Sequence, residues 1–406
     1  MPITRRRVVI LVLDGLGIGA MPDVAETRPR DVGANTLAHI VARVDGLQLP
    51  ALSALGLAAV APEAGLPSGP PQGAYGRNRL AYPGADTYMG HQELMGTIPG
   101  MVRSQLMSEV RDAIRQALEE QEHTVEDFLP LSPMLLVDGL AVVHDNMETD
   151  PGQNINVTAP YDKMPVSSIL EIGRIVRSAV ALSRVIVVMG WGFDLDDIRH
   201  HLREGPRGTV GVDSPGLGVY DERYRVRHLG IGVDVGVQIP NIARAAGLEV
   251  YLLGKAADVV ECEEAVQSPD VSTVTMLHKT LAALQEMESG LIVANVQEGD
   301  LSGHEQNAQR WAQILQNVDD FLPSLLEQMG PQDLLMIVGD HGNDPTIGHS
   351  QHTREMTPLL VAGPRVHPVP LGTRTSLADV AATAGEFLGV RQPQDGISFL
   401  QDVFEA

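Results

Sequence analysis

The sequence predicts an α/β protein whose larger domain contains a doubly wound, mostly parallel sheet, with a smaller α+β domain inserted into it. Three apolar runs, at residues 8–13, 291–296 and 334–338, are continuous rather than alternating. Such runs are typical of parallel strands covered by helices on both faces. Segments of helical periodicity at 272–287 and 307–329 lie before and after the second run. Strands that alternate with helices in this way indicate a doubly wound sheet.

The middle of the chain has a different pattern. It predicts a charge-rich helix at 104–120, a strand at 135–143, a helix at 167–178 and a strand at 185–189, followed by a stretch rich in Gly, Arg and Asp at 205–235. The alternating pattern resumes with a strand at 248–253. We therefore predict that residues 1–97 and 234–406 form the larger domain and that residues 98–233 form an inserted cap domain.

The composition is acidic, and its apolar fraction is sufficient for a globular core. The 406 residues are 44% hydrophobic, and 52 acidic side chains against 29 Lys and Arg give a formal net charge of -23. This charge excludes the electrostatic footprint of a nucleic-acid-binding protein and disfavours anionic membranes. An anionic substrate would need metal ions or local basic groups that reverse the field at the site.

Cysteine usage and the N-terminal residues predict a cytoplasmic protein. Cys262 is the only cysteine in the sequence, which excludes an intrachain disulfide and fits a reducing compartment. Three arginines at 5–7 precede an apolar run of six residues. This run is shorter than the hydrophobic region of a secretory signal, so we interpret it as a buried strand. No run approaches the roughly 20 apolar residues that a membrane helix requires.

Acidic and histidine side chains follow the predicted strands, where open α/β folds bind their ligands. The candidates for metal ligands are Asp14, Asp300, His304, Asp340, His341 and His352. Mixed carboxylate and imidazole ligands suit Mn, Zn or Fe, whereas Mg or Ca prefers oxygen alone. Six ligands fit two ions roughly 4 Å apart, the arrangement that clamps a phosphoryl group in transfer. A lone Asp is commonly a helix N-cap and a lone His a structural group, but their joint occurrence behind three strands favours a metal site.

The segment at 86–93, Asp-Thr-Tyr-Met-Gly-His-Gln-Glu, contains a candidate nucleophile, Thr87. A Thr hydroxyl reacts poorly unless a base or a metal lowers its pKa. Coordination by the ions proposed above would do so and would allow Thr87 to accept a phosphoryl group. Spacing alone does not distinguish Thr87 from an ordinary turn or capping residue.

Several motifs resemble those of phosphopentomutases, a family of the alkaline phosphatase superfamily. They are Val-Leu-Asp-Gly-Leu-Gly-Ile-Gly at 12–19, Gly-Ala-Asn-Thr-Leu at 33–37, Leu-Pro-Ala-Leu at 49–52, the segment at 86–96, Asp-His-Gly-Asn-Asp-Pro-Thr at 340–346 and His-Thr-Arg-Glu at 352–355. The motifs occur in the family's order and cover most of the larger domain. The resemblance implies an alkaline phosphatase-like, metal-binding catalytic core at 1–97 and 234–406, and a substrate-recognising cap at 98–233.

The resemblance also implies a role for each candidate residue. It assigns one Mn²⁺ ion to Asp14, Thr87, Asp340 and His341, and a second to Asp300, His304 and His352, although other divalent metals fit the same ligands. Thr87 would carry the phosphoryl group between the two ends of a pentose phosphate, through a bisphosphorylated sugar. Lys255, in the motif Gly-Lys-Ala-Ala-Asp at 254–258, would contact substrate phosphate, and a solvated lysine is the alternative. The implied partner is a small phosphosugar, with neither nucleic acid nor membrane.

Three departures from the family pattern concern the ligands and the substrate. Asp300 is one residue closer to His304 than the family's pattern places it, so Glu298 is kept as the alternative to Asp300. Trp191 stands in the segment that corresponds to the family's Arg-Pro-Phe, and a phosphate-binding arginine is lost there. Asp150 is the candidate acceptor for a sugar hydroxyl in the loosely matching segment 145–156. The arginines that would replace the lost charge, or belong to an ordinary surface, are Arg203, Arg207, Arg223 and Arg225.

Three functions follow from these residues. The first is an isomerase that moves a phosphoryl group between the 1- and 5-positions of ribose or deoxyribose phosphate through phosphorylated Thr87. The second is a mutase or phosphohydrolase for a different phosphosugar, which the altered cap favours. The third is a metal-binding pseudoenzyme that senses a metabolite; this would be expected to lack a ligand or the nucleophile, and the sequence retains them all.

Overall fold

The computed structural model describes residues 5–100, 104–219, 223, 225–230 and 233–404. The chain divides into two compact units, residues 1–100 with 233–406 (the core unit) and residues 101–232 (the inserted unit). The strands are β1 (Arg7–Val12), β2 (Ala74–Asn78), β3 (Val125–Asp127), β4 (Leu135–Val137), β5 (Ala141–Asp145), β6 (Asn154–Pro160), β7 (Arg184–Gly190), β8 (Leu202–Glu204), β9 (Val210–Val212), β10 (Arg225–Gly230), β11 (Glu249–Gly254), β12 (Val266–Ser268), β13 (Gly290–Asn295), β14 (Asp333–Val338), β15 (Thr357–Ala362) and β16 (Pro370–Arg374). The α-helices are α1 (Val24–Thr27), α2 (Thr36–Arg43), α3 (Pro50–Leu55), α4 (Leu57–Val60), α5 (Thr87–Leu94), α6 (Met107–Glu119), α7 (Val166–Ala179), α8 (Leu195–His200), α9 (Ser214–Leu217), α10 (Ile239–Ala245), α11 (Ala256–Val259), α12 (Thr273–Glu286), α13 (Gln297–His304), α14 (Ala308–Glu327), α15 (Ala378–Leu388) and α16 (Leu400–Val403).

The core unit contains an eight-stranded sheet in the order β12-β11-β13-β1-β14-β15-β2-β16. The first five strands run parallel to one another. β15 is antiparallel to both β14 and β2, and β16 is parallel to β2. The predicted strands correspond to β1, β11, β13 and β14, and the predicted α/β fold class with a mostly parallel sheet is confirmed.

Helices cover both faces of this sheet, which explains why its central strands are continuous apolar runs. Every residue of β1, β13 and β14 is buried. On one face α2, α3, α12 and α14 enclose a hydrophobic core that includes the fully buried Trp311. On the other face α10 and α11 pack against β11, and α15 packs against β1. Each large apolar side chain removed from water in this way contributes about 1.5–3 kcal/mol.

The register of the parallel strands brings the sequence-distant ligand candidates to one edge of the sheet. Val12 of β1 lies opposite Asn295 of β13 and Val338 of β14, and Gly254 of β11 also lies opposite Asn295. The carboxyl ends of four strands are therefore level. The residues that follow these ends are Asp14, Lys255, Asp300, His304, Asp340 and His341.

The inserted unit contains a six-stranded mixed sheet in the order β10-β7-β6-β5-β4-β3, with β8 and β9 forming a separate two-stranded ribbon. Alternate residues of its strands face opposite sides. Val185 and Val187 of β7 belong to the hydrophobic cluster that contains α6 and α7, whereas Ile186 and Val188 belong to the cluster that contains α8. Two apolar layers therefore stabilise this sheet, and its α+β character agrees with the predicted class.

The single strand predicted at 135–143 is wrong, because this run forms the hairpin of β4 and β5. Val137 pairs with Ala141, and the turn between them contains Asp138 and Gly139 with positive φ angles of 50° and 68°. An Asp-Gly pair adopts this left-handed backbone at low cost and favours a tight hairpin. The apolar residues on either side conceal that turn in the sequence pattern.

A search of the described helices finds none with both the length and the apolar composition that crossing a membrane requires.

Candidate metal centre

The first group of candidate ligands consists of Asp14, Asp340 and His341, all fully buried in the core unit. Nε2 of His341 lies 3.6 Å from Oδ1 of Asp14 and 3.2 Å from Oδ2 of Asp340. One side-chain atom from each of the three residues lies within 4.8 Å of the other two. Oγ1 of Thr87 lies 2.7 Å from the same His341 nitrogen. The structure therefore brings all four residues of the first predicted set together.

The second group consists of Asp300, His304 and His352. Oδ1 of Asp300 lies 3.1 Å from Nε2 of His352 and 3.4 Å from Nε2 of His304. The two histidine Nε2 atoms are 3.1 Å apart. His341 adjoins this group as well, because its ring stacks on the ring of His352 with centroids 4.0 Å apart. The two groups are therefore neighbours that meet at His341.

The histidine rings are oriented by the backbone. The Nδ1 atoms of His304, His341 and His352 lie within 2.7–3.2 Å of main-chain carbonyl oxygens. These carbonyls belong to Ser350, Gly342 and Ala85, respectively. A carbonyl at Nδ1 selects the tautomer that leaves Nε2 free to bind a cation. All three Nε2 atoms accordingly face the carboxylates.

Three carboxylates are buried within a few ångströms of one another, and their pKa values diverge. Burial and the nearby charge of Asp340 raise the pKa of Asp14 to about 7. Burial also acts to raise the pKa of Asp300, but Lys255 and His304 lower it well below its ordinary value. Within the described residues neither carboxylate oxygen of Asp14 nor Oδ2 of Asp340 accepts a well-aligned hydrogen bond, and one ammonium group, that of Lys255 at 3.0 Å from Oδ2 of Asp14, is shared with Asp300. Buried anionic oxygens of this kind are costly unless a cation compensates them, so this donor set fits divalent metal ions.

Thr87 is the first residue of α5. The side chain of Asp86 caps this helix by accepting a hydrogen bond of 3.0 Å from the backbone N–H of Met89. The positive end of the helix dipole and its free N–H groups favour an anion at this position. A phosphoryl group on Thr87 would therefore lie in a favourable field, beside His341 and Lys255.

Lys255 belongs to the same cluster. Its ammonium group donates to Oδ2 of Asp300 at 2.8 Å and to Oγ1 of Thr87 at 3.1 Å, and it lies 3.0 Å from Oδ2 of Asp14. Burial acts to lower the pKa of Lys255, but these two carboxylates more than offset it, and the pKa is raised overall. The side chain is only 13% exposed, so Lys255 is not a solvated surface lysine.

The structure places Asp300, not Glu298, beside the histidines. Both residues lie on α13. The carboxylate of Glu298 accepts hydrogen bonds from the backbone N–H of Thr273 at 2.8 Å and from Arg310 at 3.1 Å. These bonds direct Glu298 toward the start of α12, away from the cluster.

Two further residues support the site, and the sequence analysis gave neither a role. Nδ2 of Asn343 donates to Oδ1 of Asp300 at 2.8 Å and to its carbonyl oxygen at 3.0 Å. His91 is buried, and its Nδ1 atom lies 2.8 Å from the carbonyl oxygen of Thr87. Asn343 lies in the motif at 340–346 and His91 in the motif at 86–96. Membership of these motifs was the feature of the sequence that could have identified them.

The remaining candidates lie in the inserted unit. Asp150 is in the turn between β5 and β6 and is not among the residues gathered in the core unit. Trp191 is 47% exposed at the end of β7, with its ring edge-to-face against Tyr161 at 5.3 Å. The guanidinium of Arg225 lies 4.9 Å from the Tyr161 ring centroid, and the carbonyl oxygen of Arg223 accepts a hydrogen bond from the Tyr161 hydroxyl. The other two arginines are Arg203, which pairs with Asp213, and Arg207, in the turn at 206–208.

Comparisons with known proteins identify the family of this chain. A model of the metalloenzyme superfamily matches residues 6–392. A phosphopentomutase of Symbiobacterium thermophilum is 32% identical, with 98% of each chain aligned. Phosphopentomutases of Desulfitobacterium hafniense and Anaeromyxobacter dehalogenans are 30% and 32% identical over 98% of this chain and at least 99% of their own. This chain therefore belongs to the metalloenzyme superfamily and, within it, to the phosphopentomutase family.

Proposed function

We propose that this chain is a phosphopentomutase that moves a phosphoryl group between the 1- and 5-positions of ribose or deoxyribose phosphate. The observation that carries the proposal is the position of Thr87. Thr87 is the first residue of α5. Its Oγ1 atom lies 2.7 Å from Nε2 of His341 and 3.1 Å from Nζ of Lys255, next to two groups of metal-ligand type. The names of the full-length relatives supply the substrate class.

The proposed centre holds two Mn²⁺ ions. One is assigned to Asp14, Asp340 and His341 together with Thr87, and the other to Asp300, His304 and His352. When bound, such ions would lower the pKa of the Thr87 hydroxyl and neutralise charge on the phosphoryl oxygens. The mixture of carboxylate and imidazole ligands supports Mn²⁺ over Mg²⁺.

Thr87 is the proposed carrier of the phosphoryl group. Phosphorylated Thr87 donates the group to the free hydroxyl of a pentose monophosphate, so the bond from phosphorus to Oγ1 breaks as a bond to the sugar oxygen forms. The proton of the sugar hydroxyl replaces the phosphoryl group on Oγ1, and it returns to the sugar oxygen in the second transfer. The resulting bisphosphate then returns its other phosphoryl group to Thr87. Lys255 holds the transferring phosphate by charge, a task for which a lysine ammonium is suited.

The inserted unit is the proposed substrate-recognition domain. Asp150 is the candidate for binding a sugar hydroxyl, and Arg225, stacked on Tyr161 near Trp191, is the candidate for the arginine that the family motif would place there. The cytoplasm is the expected location, because the single cysteine fits a reducing compartment.

A substrate panel with a Thr87→Ala variant tests the proposal. Metal-stripped protein is reloaded with Mn²⁺ and incubated with pentose and hexose phosphates, and phosphorus NMR follows the products. The wild-type protein should interconvert pentose 1- and 5-phosphates without releasing phosphate, and Thr87→Ala should bind Mn²⁺ but lose turnover. Full activity in Thr87→Ala would sink the proposal. Release of free phosphate would favour a phosphohydrolase, and Mn²⁺ binding without any turnover would favour the pseudoenzyme.

A further inference from the structure

One buried carboxylate near the candidate metal centre, that of Glu355, belongs to neither ligand group. Its side chain is fully buried. Oε2 accepts hydrogen bonds from the backbone N–H groups of Gly19 at 3.1 Å and Thr36 at 2.9 Å. Oε1 accepts from the hydroxyls of Thr36 at 2.7 Å and Thr353 at 2.6 Å. Each oxygen therefore receives two donors, which satisfies an ionised carboxylate completely.

The two hydroxyls extend these bonds to further backbone groups. Oγ1 of Thr36 accepts a hydrogen bond from the N–H of Asn343 at 3.1 Å. Oγ1 of Thr353 accepts one from the N–H of Asp344 at 3.3 Å. Each hydroxyl has a single proton, and the ionised carboxylate has none, so both protons point at Glu355.

The segments that meet at Glu355 are those that supply the metal-ligand candidates. Gly19 lies in the same loop as Asp14, between β1 and α1, and Thr353 directly follows His352. Asn343 stands two residues after His341, and its side chain donates to Asp300. Through direct bonds or one intervening residue, a single carboxylate is connected to the segments that carry Asp14, Asp340 with His341, and His352. Asp300 on α13 is one step further away, through the side chain of Asn343.

Two glycines allow the carboxylate to lie against the loops. A Cβ atom at position 17 would be 2.2 Å from Oε2 of Glu355, and one at position 342 would be 2.3 Å from Oε1. Real atoms do not approach this closely, so Gly17 and Gly342 are required where they stand as long as Glu355 occupies its place.

We propose that Glu355 is a positioning residue of the metal centre: it binds no metal itself and fixes the loops of Asp14, Asp340, His341 and His352 at the spacing that metal binding requires. The inference rests on the proposed function in one respect, the assignment of these four residues as ligands. It adds a residue whose role is set by its hydrogen bonds to two backbone N–H groups and two threonine hydroxyls.

Glu355→Gln preserves the shape of the side chain and reverses its hydrogen bonding on one side. If the NH₂ group of the Gln side chain takes the place of Oε2, it faces the backbone N–H groups of Gly19 and Thr36, and these two donors lose their acceptor. If the NH₂ group takes the place of Oε1 instead, the hydroxyl protons of Thr36 and Thr353 lose their acceptor. The O–H···O contacts of 2.6–2.7 Å would then lengthen toward the ordinary N–H···O distance of about 2.9 Å. In either orientation the loops separate. Loss of such an orienting partner typically lowers metal affinity by about 10- to 100-fold.

Calorimetric titration of metal-stripped protein with MnCl₂ tests the inference without reference to activity. The matched control is Asp319→Asn, because Asp319 is also buried in the core unit and accepts backbone N–H bonds from Ala51 and Leu52, but on α14. We expect about 10-fold or greater loss of Mn²⁺ affinity in Glu355→Gln and wild-type affinity in Asp319→Asn. Wild-type affinity in a folded Glu355→Gln, or an equal loss in both variants, overturns the inference.

A second pair of variants keeps the test decisive if Glu355→Gln does not fold. Thr36→Val removes one hydroxyl link, while the N–H of Asn343 retains its 2.8 Å bond to the carbonyl oxygen of Gly15. We expect Thr36→Val to lower Mn²⁺ affinity and Thr36→Ser to restore it. Equal, wild-type affinity in both overturns the inference. A wild-type protein that binds no Mn²⁺ overturns the proposed function and this inference with it, whereas unaltered variants of a metal-binding wild type overturn only the inference.

Discussion

Two carboxylates on α13 provide a matched pair for testing the second metal position. Asp300→Asn removes the anion that lies 3.1 Å from His352 and 3.4 Å from His304. Glu298→Gln alters a carboxylate two residues away that is bonded to Thr273 and Arg310. The two substitutions are chemically equivalent, since each replaces a carboxylate by its amide, and they differ in what the side chain faces.

The expected effects follow from these contacts. Removing one partner of a buried, compensated charge costs about 3–5 kcal/mol, which corresponds to roughly 100-fold or greater loss of metal affinity for Asp300→Asn. Glu298 caps a helix terminus, a contribution of about 1 kcal/mol. Its pair with Arg310 is partly exposed and adds less than about 1 kcal/mol. Glu298→Gln should therefore lower the free energy of unfolding by about 1 kcal/mol and leave metal affinity unchanged.

Calorimetric titration of each metal-stripped variant with MnCl₂, paired with urea denaturation, measures both quantities. Asp300→Asn should retain one of the two binding events and lose the other, and Glu298→Gln should retain both. The reasoning is refuted if Asp300→Asn binds two ions with wild-type affinity. It is equally refuted if Glu298→Gln loses a binding event.

Three further predictions concern stability and substrate binding. Burial lowers the pKa of His144 in the inserted unit from 6.5 to about 4; between these values the unfolded chain binds a proton that the folded chain rejects. Stability should therefore fall by about 2–3 kcal/mol from pH 7 to pH 4.5, and urea denaturation should show this loss in the wild type but not in His144→Gln. Asp333→Asn breaks the buried pair with Arg7 and should lower the free energy of unfolding by about 3–5 kcal/mol, whereas Asp270→Asn at a more exposed pair should cost less than about 1 kcal/mol; equal losses would contradict the assignment. Arg225→Gln should raise KM for pentose phosphate and leave kcat unchanged, and an unchanged KM would remove Arg225 from the recognition site.

The sequence predicted the parallel strands because their whole runs are apolar. Residues 8–13, 291–296 and 334–338 overlap β1, β13 and β14 with shifts of one residue. The candidate ligands could be grouped for the same reason, since polar residues that follow parallel strands must share an edge. Strands β2 and β16, which lie beyond the antiparallel β15 in the sheet, contain partly exposed residues, and their short mixed patterns gave no comparable signal.

Contacts between distant segments could not be predicted from local pattern. Glu355 bonds to Thr36, 319 residues earlier in the chain, and nothing in the sequence around either residue indicates this pairing. The position of His341 between the two ligand groups is likewise a result of register and ring orientation. Glu298 and Asp300 are both acids shortly after a strand, and only the direction of their side chains separates them.

The central claim is that Thr87 carries the phosphoryl group, and peptide mapping by mass spectrometry tests it most directly. Enzyme loaded with Mn²⁺ is mixed with a pentose bisphosphate, quenched in acid and digested. The account predicts a phosphoryl group on the peptide that contains Thr87, at that residue, and none in Thr87→Ala treated in the same way. Turnover with an unmodified Thr87, or with the phosphoryl group on another residue, would contradict it.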